Sequence, residues 1–465
     1  MYLQRGFRYK PYKMPIVKAL PDVKIPESRI SKFYMFILKL IVRPYIISLF
    51  GFAKVIVHGE NELFGAFKRA LSSESRCIAA FRHPNGAEPQ LLGWFFLFKL
   101  KEYAARKKIR FARNPHTIFI YGYEVARWGG MAARLFMPNI GAIPIHHSKI
   151  DSKGMSKIYK TIIDGPWPVA LAPEGQVSYT ADSVPRLESG SIRIGFQAAS
   201  QLADKNIRSQ ESIIPVELLP LSVHFRYGSG GKVSMEKLLI KIEKVCGFFN
   251  GNKNLSFSER LRLCRDHILE INEKRYGIKA DKSFSFDERF ETVINAALAT
   301  AERMLGVKSE GDFFARLYRV RHVCWDKIFL PGVDSNTLEK MSNTERGVMD
   351  LGAGEAWHIA RHQELADFGW YFRRPLPAEE TALHNKIEYV QNLWDFANRS
   401  MGGAFSGRVN IFPKKIIIHT MSVINLSERL ADYKNDKKAA INAALMDLEK
   451  AYINSINEIN SIEQG

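Results

Sequence analysis

Between Lys54 and Phe225, short apolar runs alternate with longer stretches in which apolar side chains return every three or four residues. The runs Lys54–His58, Cys77–Phe81, Ile118–Tyr121, Val169–Ala172 and Ile213–Phe225 are rich in β-branched and aromatic residues and predict strands. Leu91–Lys108, Met155–Ile163 and Gly190–Ala203 carry the helical period. Alternation of the two predicts an α/β domain built on a central sheet flanked by helices. Beyond Phe249 the pattern turns helical, near 256–276, 285–305, 310–328, 355–372, 378–400 and 421–462. Pro331-Gly332, Gly352–Gly354 and Gly402-Gly403 interrupt it, and an all-α C-terminal domain is expected.

Ahead of the α/β pattern, residues 1–28 are basic, proline-rich and aromatic and predict an extended arm. A helical pattern starts at Arg29. Proline lacks the amide proton and crowds the preceding turn, so Pro44 predicts a break into two helices, about 29–42 and 45–55. On a helical wheel Arg29, Lys32, Lys39 and Arg43 fall within about 80° of one another, and Phe33, Phe36, Ile37, Leu40 and Ile41 cover much of the remainder. A narrow basic stripe on a broad apolar surface is the pattern of an amphipathic helix pair lying in a membrane interface. The uncharged run Pro44–Ala53 is ten residues long, whereas a clean span takes about 20. Three domains are therefore expected: 1–55, a basic arm and interfacial helix pair; 56–250, the α/β domain; and 251–465, a helical domain of unknown role.

Charge sharpens this picture. Lys and Arg number 67 against 48 Asp and Glu, a net +19. Residues 1–250 hold 37 of those basic residues and 18 acidic ones, 22 against 7 within the first 120, while 251–465 are balanced at 30 and 30. Such an excess implies a polyanionic partner, nucleic acid or an anionic membrane. No recognisable nucleic-acid module accompanies the basic run Arg106-Lys107-Lys108. The amphipathic helices point instead to an anionic membrane surface contacted through residues 1–120, with no nucleic-acid partner. The four cysteines, Cys77, Cys246, Cys264 and Cys324, are too scattered for a disulfide framework and suggest a reducing compartment. No cleavable signal peptide is evident, and a Gly-x-Ser-x-Gly elbow is absent. Glu355-x-x-His358 with His362 has a spacing seen in helical metal sites, but no second copy accompanies it, so a polar helix face and no metal are expected.

Two segments carry candidate chemistry. In Arg82-His83-Pro84-Asn85-Gly86-Ala87-Glu88-Pro89 an apolar strand ends at a histidine, followed five residues later by a carboxylate at a helix start. Proline in the first helical turn places Glu88 at the N-cap, held by that helix's amides. Its carboxylate can accept from the His83 Nδ1–H and leave Nε2 as a base toward a hydroxyl. In Pro173-Glu174-Gly175-Gln176-Val177-Ser178 a strand ends in a carboxylate and a flexible backbone, where open α/β sheets bind ligands. A hydroxyl-bearing substrate could be gripped there, and the helix start at Gly190-Ser191 offers amides to a phosphate.

In order and approximate spacing, His83 with Glu88, Gly141-Ala-Ile143-Pro-Ile145-His146, Pro173-Glu174-Gly175 and Ile213-Ile214-Pro215-Val216 resemble the four motifs of the lysophospholipid and glycerol-phosphate acyltransferase family. The likeness covers residues 30–250. It implies a mixed central sheet of acyltransferase type and transfer of a fatty acyl group from a thioester to a hydroxyl of a lysophospholipid or glycerol-phosphate-type acceptor. It further implies His83 as general base oriented by Glu88, with Glu174 and Gly175 on the acyl acceptor. The segment through Gly141, Ile143 and Ile145 would line the acceptor site, and Pro215 would shape the acyl-donor side. No cofactor is implied; acyl-CoA or acyl carrier protein is the co-substrate. The implied location is peripheral or monotopic on the cytoplasmic face of a membrane.

The chain departs from that pattern at Glu88, where the family usually has Asp, and at Val177 and near His147, where it carries arginines associated with the acceptor's phosphate. Lys149, Arg186, Arg193 or Ser178 would have to serve instead, with Gln176 also among the expected substrate-binding residues, or the acceptor is another amphiphile such as an acylated amino acid. A catalytically degenerate membrane-surface scaffold is the non-enzymatic alternative.

Overall fold

The computed structural model describes residues 17–146, 151–209, 213–248, 254–281, 283–403 and 407–464. They form two compact units: residues 25–227 with 412–465, and 228–411 with the segment up to Lys24.

The first unit is built on a sheet of eight strands among the described residues. In chain order these are β1 (Lys54–His58), β2 (Arg76–Phe81), β3 (Ile118–Gly122), β4 (Ile143–Ile145), β5 (Val169–Leu171), β6 (Val216–Arg226), β7 (Lys415–Thr420) and β8 (Ile424–Asn425). Across the sheet they lie in the order β1-β7-β6-β2-β5-β3-β4, with β8 on β6. From β6 to β4 every pairing is parallel, whereas β7 runs antiparallel to β6 and carries β1 parallel to itself. The sheet is therefore mixed, as expected.

Helices α1 (Lys32–Phe50), α2 (Glu60–Leu71), α3 (Glu88–Trp94), α4 (Leu100–Arg106), α5 (Glu124–Trp128), α6 (Gly130–Asn139), α7 (Ser152–Asp164) and α8 (Gly190–Ser209) fall between strands or ahead of them. Side chains alternate across a strand, so β2 sends Cys77, Ala79 and Phe81 to a core shared with α1 to α4, and Ile78 and Ala80 to a second core shared with α7 and α8. Two apolar faces covered by helices make a three-layer α/β/α arrangement.

Two expectations are corrected in this unit. Helix α1 is continuous where a break at Pro44 was expected. The amide missing at Pro44 would have donated to the Leu40 carbonyl, and Leu40 lies on the exposed side of the helix, where water can serve that oxygen. The helix also belongs to the sheet unit, because Val42, Ile46 and Phe50 join its core. The second correction concerns the boundary expected at residue 250. Residues 412–465 return to the sheet: Ile416, Ile417 and Ile418 of β7 are buried between β1 and β6.

The other unit is built on α9 (Ser229–Val245), α10 (Phe257–Arg275), α11 (Phe286–Leu305), α12 (Phe313–Ile328), α13 (Ser335–Glu339), α14 (Asn343–Phe372) and α15 (Leu383–Ser400), and in it Leu20–Pro21 pairs in parallel with Phe329–Leu330. Helices α10, α11 and α14 each begin with a capping box, Ser256/Glu259, Ser285/Glu288 and Ser342/Glu345. Back in the sheet unit, α16 (Leu430–Asn435) and α17 (Lys437–Gln464) follow β8 and cover the second core with Tyr433, Leu448 and Tyr452.

Because β7 fills the gap between β1 and β6, a chain ending at Ile411 is expected to lose cooperative unfolding of the sheet unit, and Ile418→Ala to cost about 2–5 kcal/mol. Thermal and denaturant melts followed by circular dichroism measure both.

Candidate functional site

Parallel register brings the two candidate segments together. Ala80 of β2 is opposite Leu171 of β5, so Arg82 and His83 leave the sheet beside Pro173 and Glu174, at the carboxyl ends of adjacent strands. The His83 Nδ1–H donates to Glu88 Oε2 at 2.8 Å. Glu88 is fully buried, while the His83 side chain is 15% exposed. Nε2 has no hydrogen-bond partner among the described residues, so it is the ring atom left for a ligand.

The turn between them holds the carboxylate. Asn85 N donates to Glu88 Oε1 at 2.8 Å and Gly86 N to Oε2 at 2.9 Å. Gly86 has φ +96°, a conformation open to glycine and strained for other residues. Glu88 was expected as an N-cap bound by its own helix. It is instead the first residue of α3, capped by Ala87, and its amide donors precede it. The fixed acceptor sets the tautomer of His83, with the proton on Nδ1.

Behind this pair lies a buried ion pair that the sequence did not suggest. Arg82 Nε donates to Glu174 Oε1 at 3.0 Å, and the two side chains are 2% and 0% exposed. The remaining guanidinium nitrogens donate to the carbonyls of Ala181 (2.6 Å), Thr180 (2.7 Å) and Ser183 (2.8 Å). Glu174 Oε2 accepts from the His83 amide at 3.2 Å, and the His83 carbonyl accepts from Ser178 N at 3.0 Å. Both Glu174 oxygens are thus engaged and shielded. Its expected role in gripping an acceptor hydroxyl is replaced by a positioning one.

Helix α17 closes the back of this network. Tyr452 donates its hydroxyl to the Ala80 carbonyl at 2.8 Å, and Asn460 bridges Arg226 (2.6 Å) and Asp182 (3.0 Å). Ser455 contacts His224 at 3.1 Å and His419 at 2.9 Å. Burial, reinforced by the charges of Arg226 and Arg82, depresses the His224 pKa far below the usual range, and burial lowers that of His419.

The other expected site residues divide by strand direction. Gly175, with φ +73°, lies against the Glu188 carboxylate, which a Cβ at that position would approach to 2.7 Å. Gln176 and the buried Ser178 continue the same loop, and the Ser178 hydroxyl has no hydrogen-bond partner among the described residues. Arg193 is exposed on the first turn of α8 and donates to Ser189 Oγ at 3.0 Å. Ile145 ends β4 and its carbonyl accepts from Tyr123 N at 2.9 Å, but β4 is the outermost strand, third from β2. Ile143 is core, 2% exposed, and Gly141 precedes β4 against Ile118 at the start of β3. Pro215 precedes β6 at the opposite edge of the sheet: its carbonyl accepts from Arg76 N at 2.8 Å. Parallel strands start at one edge, which puts it about 20 Å from His83 at roughly 3.3 Å per residue. Lys149 lies outside the described residues. Among those described, no group of three or more His, Cys, Asp or Glu is placed to hold a metal ion, and His362 instead contacts the Tyr276 hydroxyl at 2.8 Å.

No family model, curated protein or solved structure matches the chain.

Two outcomes follow from the buried network. Arg82→Met leaves the Glu174 carboxylate buried without its partner and is expected to cost about 3–5 kcal/mol. Adding Glu174→Gln should cost less than the sum of the single changes, as residues in one network do; urea unfolding of the three variants measures the coupling. The second outcome concerns pH. His224 and His419 are buried neutral, and burial brings His116 down to about 4. Below the unfolded-state value near 6.5 the unfolded chain binds protons that the native chain refuses. The stability these rings contribute is therefore present above about pH 6.5 and is lost as pH falls toward 4, by up to about 1.4 kcal/mol per pH unit for each histidine. Unfolding midpoints at stepped pH measure the slope, which should flatten in His224→Asn.

Proposed function

We propose that the protein is a membrane-associated O-acyltransferase that moves a fatty acyl group from an acyl thioester, of coenzyme A or acyl carrier protein, to a hydroxyl of a lysophospholipid or glycerol-phosphate-type acceptor. The observation that carries this reading is the 2.8 Å contact from His83 Nδ1 to a buried, doubly amide-held Glu88, with Nε2 left unpartnered at the carboxyl edge of a sheet. As the acceptor oxygen attacks the thioester carbonyl carbon, its proton passes to Nε2. The imidazolium so formed is stabilised by Glu88, as a carboxylate stabilises the histidine of a catalytic triad. Cleavage of the carbon–sulfur bond releases a thiolate that takes the proton back from Nε2. No acyl-enzyme is formed.

Helix α1 supports the membrane part of the proposal. Phe33, Phe36, Leu40 and Ile41 stand 65%, 61%, 61% and 45% exposed, flanked by the exposed Lys32, Lys39 and Arg43. By length and composition the helix could cross a bilayer. Its opposite face packs on the core of the sheet unit, however, and a charge at mid-helix is costly in hydrocarbon. An interfacial position on anionic lipid satisfies both faces.

Val177, beside Gly86, stands where the resembling family carries an arginine, and this favours testing an acceptor without a phosphomonoester, such as an acylated amino acid, alongside lysolipids. Purified protein is expected to acylate a member of such a panel with acyl-CoA or acyl carrier protein as donor. His83→Ala should abolish turnover and Glu88→Gln reduce it less; vesicle binding without turnover on any acceptor would leave the scaffold reading. Phe36→Asp should weaken partitioning onto anionic phospholipid vesicles in a sedimentation assay, and Lys39→Gln should weaken it about fivefold at low salt.

A further inference from the structure

The exposed apolar side of α1 continues onto a second element. Ile30, just ahead of α1, pairs with Ile140 in an antiparallel bridge, with Arg29 N donating to the Pro138 carbonyl and Ser31 N to the Asn139 carbonyl, both at 2.8 Å. These bonds tie the start of α1 to the end of α6. Aromatic rings extend the joint: Phe33 meets Tyr34 edge-on at 5.6 Å between centroids, and Tyr34 meets Phe136 of α6 at 5.3 Å. On α6, Met131 and Leu135 lie four residues apart on one face and are 68% and 39% exposed, and Trp128 at the end of α5 is 50% exposed. A helix that packs on a sheet in water turns such side chains inward. Here they stand out beside the exposed Phe33 and Phe36, in an apolar surface of the size that marks an interaction site.

Charge selects the occupant. No acidic residue occurs from Ser28 to Gly59 or from Val125 to His146, and Arg29, Lys32, Lys39 and Arg43 are exposed among the apolar side chains of α1 and the residues before it. A second copy of the chain docked through this face about a two-fold axis would set those cations against their own counterparts. An anionic bilayer takes the apolar side chains below its headgroups and holds the cations at them, and tryptophan is suited to that depth. We propose that α5 and α6 form a second membrane contact, with Trp128, Met131 and Leu135 entering the interface of an anionic phospholipid bilayer alongside α1; this rests on the interfacial placement of α1 and is independent of the His83 chemistry. Helix α5 begins two residues after β3 ends, at the carboxyl edge of the sheet. Strand β3 is two places from β2, about 10 Å at the usual strand spacing. Lipid at α5 therefore borders the edge from which His83 projects.

The test uses the full chain and vesicles of phosphatidylglycerol and phosphatidylcholine in equal parts, read by sedimentation and by quenching of tryptophan fluorescence with brominated phosphatidylcholine. Met131→Asp and Leu135→Asp, both at exposed positions, should each weaken partitioning about tenfold and melt as the wild type does. Trp128 is one of seven tryptophans; brominated lipid should quench the wild type, and Trp128→Phe should lose much of that quenching. Undiminished partitioning of both aspartate variants, or the same fractional quenching with and without Trp128, would overturn the proposal. If Phe36→Asp still weakens partitioning in that case, α1 alone meets the bilayer; a wild type that binds no vesicles removes the membrane reading of α1 as well. A lipid-free dimer in sedimentation velocity that Met131→Asp dissociates would also overturn it, by assigning the face to a second copy of the chain.

Discussion

The geometry at the carboxyl edge of the sheet depends on one buried ion pair. A guanidinium and a carboxylate withdrawn from water are tolerated only when their remaining hydrogen-bonding capacity is met. Arg82 meets it with three carbonyls of the 180–183 loop, and Glu174 with the amide of His83. The pair therefore fixes the crossing of β2 and β5, folds the following loop over them and sets the backbone from which the His83 ring projects. Charge here acts as a fastening for the backbone, and the hydrogen bond from His83 to Glu88 is built on top of it.

A second dependence runs through the segment 412–465. Without β7, β1 would have no neighbour and β6 would have an open edge in a sheet whose strands are apolar on both faces. Helix α17 then seals one face and reaches the site through Tyr452, Ser455 and Asn460. Of the two histidines on Ser455, His224 lies close enough to Arg82 for that charge to bear on its protonation, so the back wall and the carboxyl edge of the sheet share one electrostatic environment.

Much of this was legible in the sequence, for reasons that also mark where legibility stops. The strands β1, β2, β3, β5 and β6 follow from local runs of β-branched and aromatic residues, and the His83–Glu88 pairing from their spacing within one turn. Local signals of that kind survive folding. Strand β7 reads Lys-Ile-Ile-Ile-His-Thr, a run too short to separate from a helix by period, and its partner strands lie far away in the chain. Arg82 carries no such local signal, because its partner Glu174 is 92 residues on. Glu174 is opaque for the same reason: a carboxylate after a strand looks available until its cation is seen. Pro215 shows a further limit, since a motif's order in sequence says nothing of which end of the sheet it occupies.

The position of β7 has a consequence for how the protein is made. Lys54 and Lys415 are paired, and about 190 residues, the bulk of the helical unit, are synthesised between the end of β6 and the start of β7. At about 5–20 residues per second, a ribosome takes roughly 10–40 s over that stretch. Throughout it the nascent sheet holds β6 with an unpaired edge and β1 with no partner. The last helix of the helical unit, α15, ends at Ser400, so that unit is finished only shortly before β7 is made, and the sheet waits through nearly all of its synthesis. An unfilled slot between two apolar strands is the shape most prone to capture a strand from a neighbouring chain. Synthesis therefore leaves this protein an interval in which a chaperone, or dilution among its own copies, decides whether the slot is filled in cis.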